Sequence, residues 1–175
     1  MQEENKLARF EQIVLPHLDA AYNLARWLVR NDTDAEDLAQ EAVLRAIKFF
    51  GGFHGGDSRA WLLTIVRNTC YTWLKRNRAH EPLTPFDEET HGVRDANPET
   101  ILLEGADREM LRKALEELPA EFREVIILRE LEDLSYKEIA NIVEVPVGTV
   151  MSRLARARKR LQLCLTESQE EEVRK

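Results

Sequence analysis

The stretch SYKEIANIVEVPVGTVMSRLARARKRL, residues 135–161, decides the fold of the C-terminal part of the chain. Ser135 stands where it can cap a short helix, and Glu138 follows three positions later, as the acidic member of a capping box does. Apolar residues recur at helical spacing before and after a turn at 144–146, and Pro146 suits the start of a second helix. The stretch therefore predicts two helices joined by a tight turn, which is a helix-turn-helix.

The second helix of this motif is predicted over 147–163, with one apolar face and an opposite face of small and basic side chains. Small residues allow a helix to lie deep in the major groove, and arginine carries forked donors that match guanine edges and phosphates. We expect DNA contacts from Val147, Gly148, Thr149, Ser152, Arg153, Ala155, Arg156 and Lys159. A basic helix that is only solvated is the alternative, but the capped helix, the turn and the small-residue face occur together and favour DNA recognition.

The N-terminal part predicts three or four helices, interrupted by a glycine-rich break. Apolar residues with a 3.6-residue period indicate a helix over 18–29, and Asp34 can cap a second helix over 35–50. The sequence GGFHGGDS at 51–58 contains four glycines and ends the second helix, because glycine permits backbone conformations that other residues resist. A third helix is then predicted over 59–78.

Two of these helices carry outward faces of distinct chemistry. The face of the helix at 35–50 is acidic around one leucine, which suits protein docking, although a merely solvated face would look the same. Its members are Asp37, Gln40, Glu41, Leu44 and Lys48. The outward face of the helix at 59–78 combines cations with a ring and an amide, which suits single-stranded nucleic acid. Its members are Thr64, Arg67, Asn68, Tyr71, Lys75 and Arg78.

Charge is distributed unevenly along the chain, whose formal net charge is −7. Segments 58–80 and 146–165 each hold five Lys or Arg residues and no acid, and the remainder holds 15 basic against 32 acidic residues. An acidic remainder repels a duplex, so we expect the chain to bind DNA poorly alone and better when a partner holds it there.

Composition indicates the fold class and the compartment. Glycine and proline number only 7 and 6 among 175 residues, and strand-like alternation is rare, so we expect an all-α fold. Two small helical domains are predicted at 1–80 and 104–166, with a flexible acidic linker at 81–103 and an acidic tail at 167–175. No apolar run is long enough to span a bilayer or to serve as a signal peptide, which indicates a cytoplasmic protein without membrane insertion.

The sequence offers no constellation of residues for catalysis. Cys70 and Cys164 are far apart, and the four histidines are scattered without metal-ligand spacing. We therefore expect unpaired thiols, no metal, no cofactor, no small-molecule substrate and no enzymatic activity.

Five motifs in this order resemble the extracytoplasmic-function (ECF) group of bacterial sigma factors. They are DAEDLAQEA at 34–42, FHGGDSRAWL at 53–62, LPAEFR at 118–123, SYKEIA at 135–140 and PVGTVMSRL at 146–154. The resemblance implies a protein that binds core RNA polymerase and directs it to promoters. The N-terminal domain would recognise and melt the −10 element, and the C-terminal domain would read the −35 element. The resemblance also implies a stress-responsive protein that a cognate anti-sigma factor controls.

The resemblance assigns roles to residues of this chain. Core polymerase would bind the face formed by Asp37, Gln40, Glu41, Leu44 and Lys48. Contacts with the −10 element would come from Phe53, Ser58, Trp61, Arg67, Asn68, Tyr71 and Lys75, and among them Phe53 and Asn68 would capture a flipped base. The apolar run at 125–128 would help to place the C-terminal domain on the polymerase flap, and the acidic linker would thread the channel of the nascent RNA.

Two other classes of protein compete with this interpretation. A stand-alone helix-turn-helix regulator that binds operators would explain residues 135–161 but leaves 34–78 without a role, and no dimerisation stripe is evident. An acidic interaction module, such as an anti-sigma antagonist or adaptor, would explain the net charge and the linker but not the two basic segments.

Overall fold

The computed structural model describes residues 1–77 and 108–175, and the secondary structure of these residues is entirely helical. The predicted all-α fold is therefore confirmed for the described part of the chain. Three predicted features lie outside the described residues: the linker at 81–103, the histidines His80 and His91, and Arg78, the last member of the outward face of the helix predicted at 59–78.

The N-terminal half begins with a helix that the sequence pattern did not predict. Its helices are α1 (Gln2–Val14), α2 (Leu18–Val29), α3 (Asp32–Phe49) and α4 (Ser58–Asn77), with short 3₁₀ turns at Leu15–His17 and Phe50–Gly52. Phe10 and Val14 are the buried residues of α1, and their spacing of four places them on one helix face. The polar N-terminus therefore belongs to the packed structure.

The C-terminal half contains four helices. They are α5 (Arg108–Glu117), α6 (Ala120–Ile126, continued by a π-helical turn at Ile127–Leu131), α7 (Tyr136–Val143) and α8 (Val147–Arg174). The predicted end of α8 at residue 163 is wrong, since the helix continues to Arg174 and includes most of the acidic tail at 167–175. The tail is rich in glutamate and glutamine and has no glycine or proline to end a helix, while Leu165 extends the buried stripe.

The helix ends show why these segments stop where they do. Arg30 closes α2 in the left-handed region with φ of 60°. Asn31, rather than the predicted Asp34, caps α3, because its side chain accepts a hydrogen bond of 3.0 Å from the amide of Asp34. Gly55 and Gly56 take φ values of +104° and +95°, as the glycine-rich break required.

Helices α2, α3 and α4 pack on one another to form the N-terminal core. The apolar periodicity of the helix predicted at 59–78 places Leu62, Val66 and Cys70 in the core, and all three are fully buried. Leu38 is also buried, although the sequence analysis had not placed it in the core. The apolar periodicity of the helix predicted at 35–50 places Ile47 inside, but Ile47 is 37% exposed, because it lies at the edge of the α3 apolar stripe.

The two halves pack against each other, with α2 against α6 and α4 against α7. The apolar run at 125–128 has apolar side chains on more than one helix face and therefore needs cover from a neighbouring helix or a partner, and all four residues are at most 3% exposed. Helices α2 and α8 supply that cover, so the run is not exposed for the contact with the polymerase flap that the resemblance implies. The guanidinium of Arg123 also crosses the boundary and donates to the carbonyl of Leu28 at 3.0 Å.

Candidate nucleic-acid interfaces

The helix-turn-helix is built by the local interactions that its sequence predicts. The amide of Glu138 donates to Ser135 Oγ at 3.1 Å, and that hydroxyl donates to the Glu138 carboxylate at 3.0 Å. Glu144 ends α7 in the left-handed region, and the amides of Thr149 and Val150 close the first turn of α8 on the carbonyl of Pro146. Helix α8 is thereby presented with a defined start and direction.

The face of α8 that was predicted to read DNA is largely open to solvent. Gly148, Ser152 and Lys159 are exposed, and Thr149, Arg153, Ala155 and Arg156 are half-buried. Val147 and Met151 add apolar surface to this face, because they are 39% and 53% exposed, respectively. Met151 was absent from the predicted contacts, and its position one turn before Ala155 is the signal that could have found it.

Two interactions of arginine side chains hold this motif to α6. Arg158 donates to the carboxylate of Glu130 at 2.7 Å, and Arg129 lies 4.8 Å from the ring centroid of Tyr136. Burial alone would lower the pKa of Arg158, but its hydrogen bond and charge interaction with Glu130 raise it above its ordinary value. Arg158 therefore positions α8 against α6 within the C-terminal half.

Only part of the predicted nucleic-acid face of α4 is exposed to solvent. Asn68 and Lys75 are exposed. Arg67 and Tyr71 instead lie against the C-terminal half, where Arg67 donates to the two carboxylate oxygens of Glu124 at 3.0 and 3.3 Å. The Arg67 guanidinium also lies 4.0 Å from the ring centroid of Tyr71. The prediction that Arg67 and Tyr71 face outward is therefore wrong.

Glu124 is the residue that covers them, and it is fully buried. Burial raises the pKa of the Glu124 carboxyl, while hydrogen bonding and charge interaction with Arg67 and the charge of Arg153 act against that rise. Burial also raises the pKa of the Tyr71 hydroxyl, with Glu124 adding to the effect. Glu124 was not among the predicted site residues, although an acidic residue inside the apolar run FREVIIL is a signal, because a buried charge requires a partner.

The loop residues predicted to contact the −10 element lie in an aromatic cluster. Phe53 is 7% exposed, and its ring centroid lies 5.1 Å from that of Trp61 and 5.8 Å from that of Phe50. Phe10 of α1 completes the cluster with an edge contact to Phe50 at 5.3 Å. The hydroxyl of Ser58 lies 3.2 Å from His17 Nε2. Phe53 therefore supports the loop from beneath, and its ring does not project from it.

The predicted docking face of α3 is open along its whole length. All five of its residues, Asp37, Gln40, Glu41, Leu44 and Lys48, are exposed. Leu44 is the most exposed apolar side chain of α3, at 66%. Ile47 at 37% and Phe49 at 58% are the other large apolar side chains of α3 that are exposed.

The described residues contain neither a group of three His, Cys, Asp or Glu side chains able to hold a metal ion nor a helix long and apolar enough to cross a membrane. The thiols of Cys70 and Cys164 are both free.

Comparison with known proteins identifies the class to which this fold and these faces belong. Residues 13–80 match the family Sigma-70 region 2, and residues 108–161 match Sigma-70, region 4. The two matched segments contain α4 and the helix-turn-helix respectively, which are the two candidate interfaces. The chain therefore has the two-region organisation of an RNA polymerase sigma factor.

Individual relatives specify the group within that class. The chain is 35% identical to the ECF RNA polymerase sigma factor SigE of Mycolicibacterium smegmatis over 91% of its length, and spans 63% of the length of that relative. It is 36% identical to the ECF RNA polymerase sigma-E factor of Escherichia coli K12, over 72% of this chain and 71% of that one. The chain belongs to the ECF sigma factors.

A solved structure shares the fold. The sigma factor RpoE of Bartonella quintana, co-crystallised with the anti-sigma factor NepR, has a TM-score of 0.70 and 34% sequence identity, over 90% of this chain and 97% of that one.

Proposed function

We propose that this chain binds core RNA polymerase and directs it to specific promoters at the start of transcription. The observation that carries the proposal is the presence of two basic helix faces, on α4 and α8, in the two matched sigma regions of one otherwise acidic chain. A stand-alone operator-binding regulator would leave the N-terminal face and the exposed Leu44 without a role.

Three helix faces carry out the three parts of this function, which are −35 recognition, −10 contact and docking on polymerase. The outer face of α8 reads the −35 element in the major groove, with Arg153 and Arg156 as the forked donors. Asn68 and Lys75, and Arg67 and Tyr71 once they are uncovered, contact the −10 element. The α3 face around Leu44 docks on polymerase, where burial of an exposed leucine contributes about 1.5–3 kcal/mol.

Regulation by an anti-sigma factor is part of the same proposal. It is supported by the similarity to the sigma factor RpoE, which was crystallised with the anti-sigma factor NepR. The chain would act in the bacterial cytoplasm, where RNA polymerase works, in response to stress. It would act as an initiation factor without a cofactor, a small-molecule substrate or enzymatic activity of its own.

Run-off transcription with core polymerase tests the proposal. Promoter fragments are transcribed with core enzyme alone and with core enzyme plus the chain. Specific initiation only in the presence of the chain is expected. Sequence-specific binding of duplex DNA without polymerase, together with no specific transcript, would show instead that the chain is an operator-binding regulator.

A further inference from the structure

Glu124 interacts with cations from both predicted DNA-reading helices. It is fully buried on α6, bonds to Arg67 of α4 through both carboxylate oxygens, and is subject to the charge of Arg153 of α8. Bidentate pairing with a carboxylate uses the same guanidinium edge that binds a phosphate. Arg67 therefore cannot engage DNA while it is bonded to Glu124.

Tyr71 is blocked by the same contact. Its hydroxyl is buried, and the guanidinium of Arg67 covers its ring at 4.0 Å from the centroid. A base can stack on an aromatic ring only when the face of that ring is free. The phosphate-binding group and the stacking surface of α4 are thus both occupied from within the chain.

Neighbouring polar contacts tie the two halves together around Glu124. Arg123, the preceding residue, donates to the carbonyls of Leu118 at 2.6 Å and Leu28 at 3.0 Å, and so joins α6 to α2. At the exposed edge of the boundary between the two halves, Arg30 donates to the carbonyl of Glu116 at 3.0 Å. Directional hydrogen bonds to main-chain carbonyls specify one arrangement of the halves, as an apolar contact alone would not.

We propose that Glu124 holds the free chain in a closed arrangement that cannot read the −10 element, with its carboxylate in the place of a DNA phosphate on Arg67. This inference rests on the proposed function, which gives Arg67 its role at the promoter. Binding to polymerase then has to separate α4 from α6 and α7 before the promoter is opened. The contact also keeps the basic segment on α4 from binding DNA unproductively when polymerase is absent.

Two matched substitutions test the inference. Glu124→Gln removes the carboxylate that joins the halves, whereas Glu130→Gln removes a carboxylate that pairs with Arg158 inside the C-terminal half. Both variants gain the same charge, so a general electrostatic gain in DNA affinity appears equally in both. The probe is a fluorescein-labelled single-stranded 20-mer of mixed sequence, titrated with the full chain in the absence of polymerase. Small-angle X-ray scattering gives the radius of gyration of each variant.

Glu124→Gln is expected to bind the probe at least fivefold more tightly than Glu130→Gln and to have the larger radius of gyration. Equal affinities and equal radii for the two variants would overturn the inference. These measurements do not use polymerase, so they judge the closed arrangement whether or not the chain supports transcription.

A chemical tether covers the case in which Glu124→Gln does not fold. Arg30 and Glu117 line one cleft between the halves, and neither belongs to a proposed binding face. In the variant Arg30→Cys/Glu117→Cys/Cys164→Ser, a short bismaleimide bridges the halves, while the buried Cys70 stays unmodified. Because the free chain is already held closed, the bridge is expected to form within the folded chain, and the bridged and unbridged chains are expected to bind the probe equally weakly. Binding of the probe at least fivefold more tightly by the unbridged chain would overturn the inference.

Discussion

Arg67 on α4 and Glu124 on α6 share two charge-assisted hydrogen bonds, of 3.0 and 3.3 Å, across the boundary between the two halves of the chain. Glu124 has no solvent exposure and the side chain of Arg67 retains 15%. Removing one partner of a buried pair is costly, about 3–5 kcal/mol, when the other stays buried. When the two halves separate, both groups return to water and that cost does not arise. The Arg67–Glu124 pair is therefore a contact that the chain can break by separating its halves.

The first prediction concerns Arg156 on the outer face of α8. Arg156→Ala is expected to lower −35-dependent transcription about ten- to a hundredfold, because one bidentate contact to guanine contributes about 1–3 kcal/mol of discrimination. Run-off transcription on a promoter with an intact −35 element and on one with that element scrambled measures the effect.

Arg174→Ala, an exposed change at the far end of the same helix, serves as the control and should transcribe normally. Equal loss on the intact and scrambled promoters would mean that Arg156 does not read bases.

The second prediction concerns Asn68, which is exposed on α4 next to the covered Arg67. Asn68→Ala is expected to reduce promoter opening about tenfold, the effect of losing one or two hydrogen bonds, and to leave −35 binding intact. Permanganate reactivity of −10 thymines reports opening, and footprinting reports −35 binding. Thr72→Ala, one turn further along α4, is the matched control. The Thr72 hydroxyl donates its hydrogen bond to the carbonyl of Asn68, within the helix, so its removal should not affect DNA contacts. Loss of polymerase binding by Asn68→Ala would contradict this placement.

The third prediction concerns the docking face of α3. Leu44→Ala is expected to weaken binding of core polymerase about ten- to a hundredfold, since a buried leucine contributes about 1.5–3 kcal/mol. The stability of the free chain should be unchanged, because Leu44 is 66% exposed there. Leu7→Ala on α1 removes an equal side chain at 49% exposure and should bind polymerase normally. Similar affinities for the two variants would show that polymerase docks elsewhere.

The fourth prediction concerns the thiols. Burial, with a smaller effect from the charge of Glu41, raises the pKa of Cys70 from 9.0 to about 12. Cys164 is only half-buried and should be alkylated first at pH 8, with Cys70 reacting at the rate of unfolding. A raised pKa favours the protonated thiol in the folded state, so Cys70 reduces stability as pH rises from about 9 to 12.

Cys70→Ser should remove that part of the alkaline loss, measured by denaturant unfolding at pH 8 and at pH 11. Modification of Cys70 in the folded chain at pH 8, as fast as that of Cys164, would contradict the burial assigned to it.

Local patterns predicted much of the fold. The capping box at Ser135, the turn before Pro146 and the glycine break were visible because each depends on neighbours in the sequence. The buried stripe of α8 was visible for the same reason, since it repeats at helical spacing.

Contacts between distant segments could not be read in the same way. Helix α1 carries only Phe10 and Val14 as buried residues, so its apolar pattern is too sparse to recognise without the aromatic cluster it joins. Arg67 and Tyr71 have the spacing of an outward stripe, and only the packing of α6 shows that they are covered. Periodicity locates a face on a helix but does not say what lies against it.

Run-off transcription by the tethered chain tests both the sigma function and the closed arrangement most directly. The Arg30→Cys/Glu117→Cys/Cys164→Ser variant is bridged with a disulfide-containing bismaleimide and assayed with core polymerase before and after reduction of the bridge. We predict no specific transcript above core enzyme alone while the bridge is intact, and full specific initiation after its release. Equal initiation before and after release would contradict the closed arrangement, and no specific transcript from the released chain would contradict the sigma function itself.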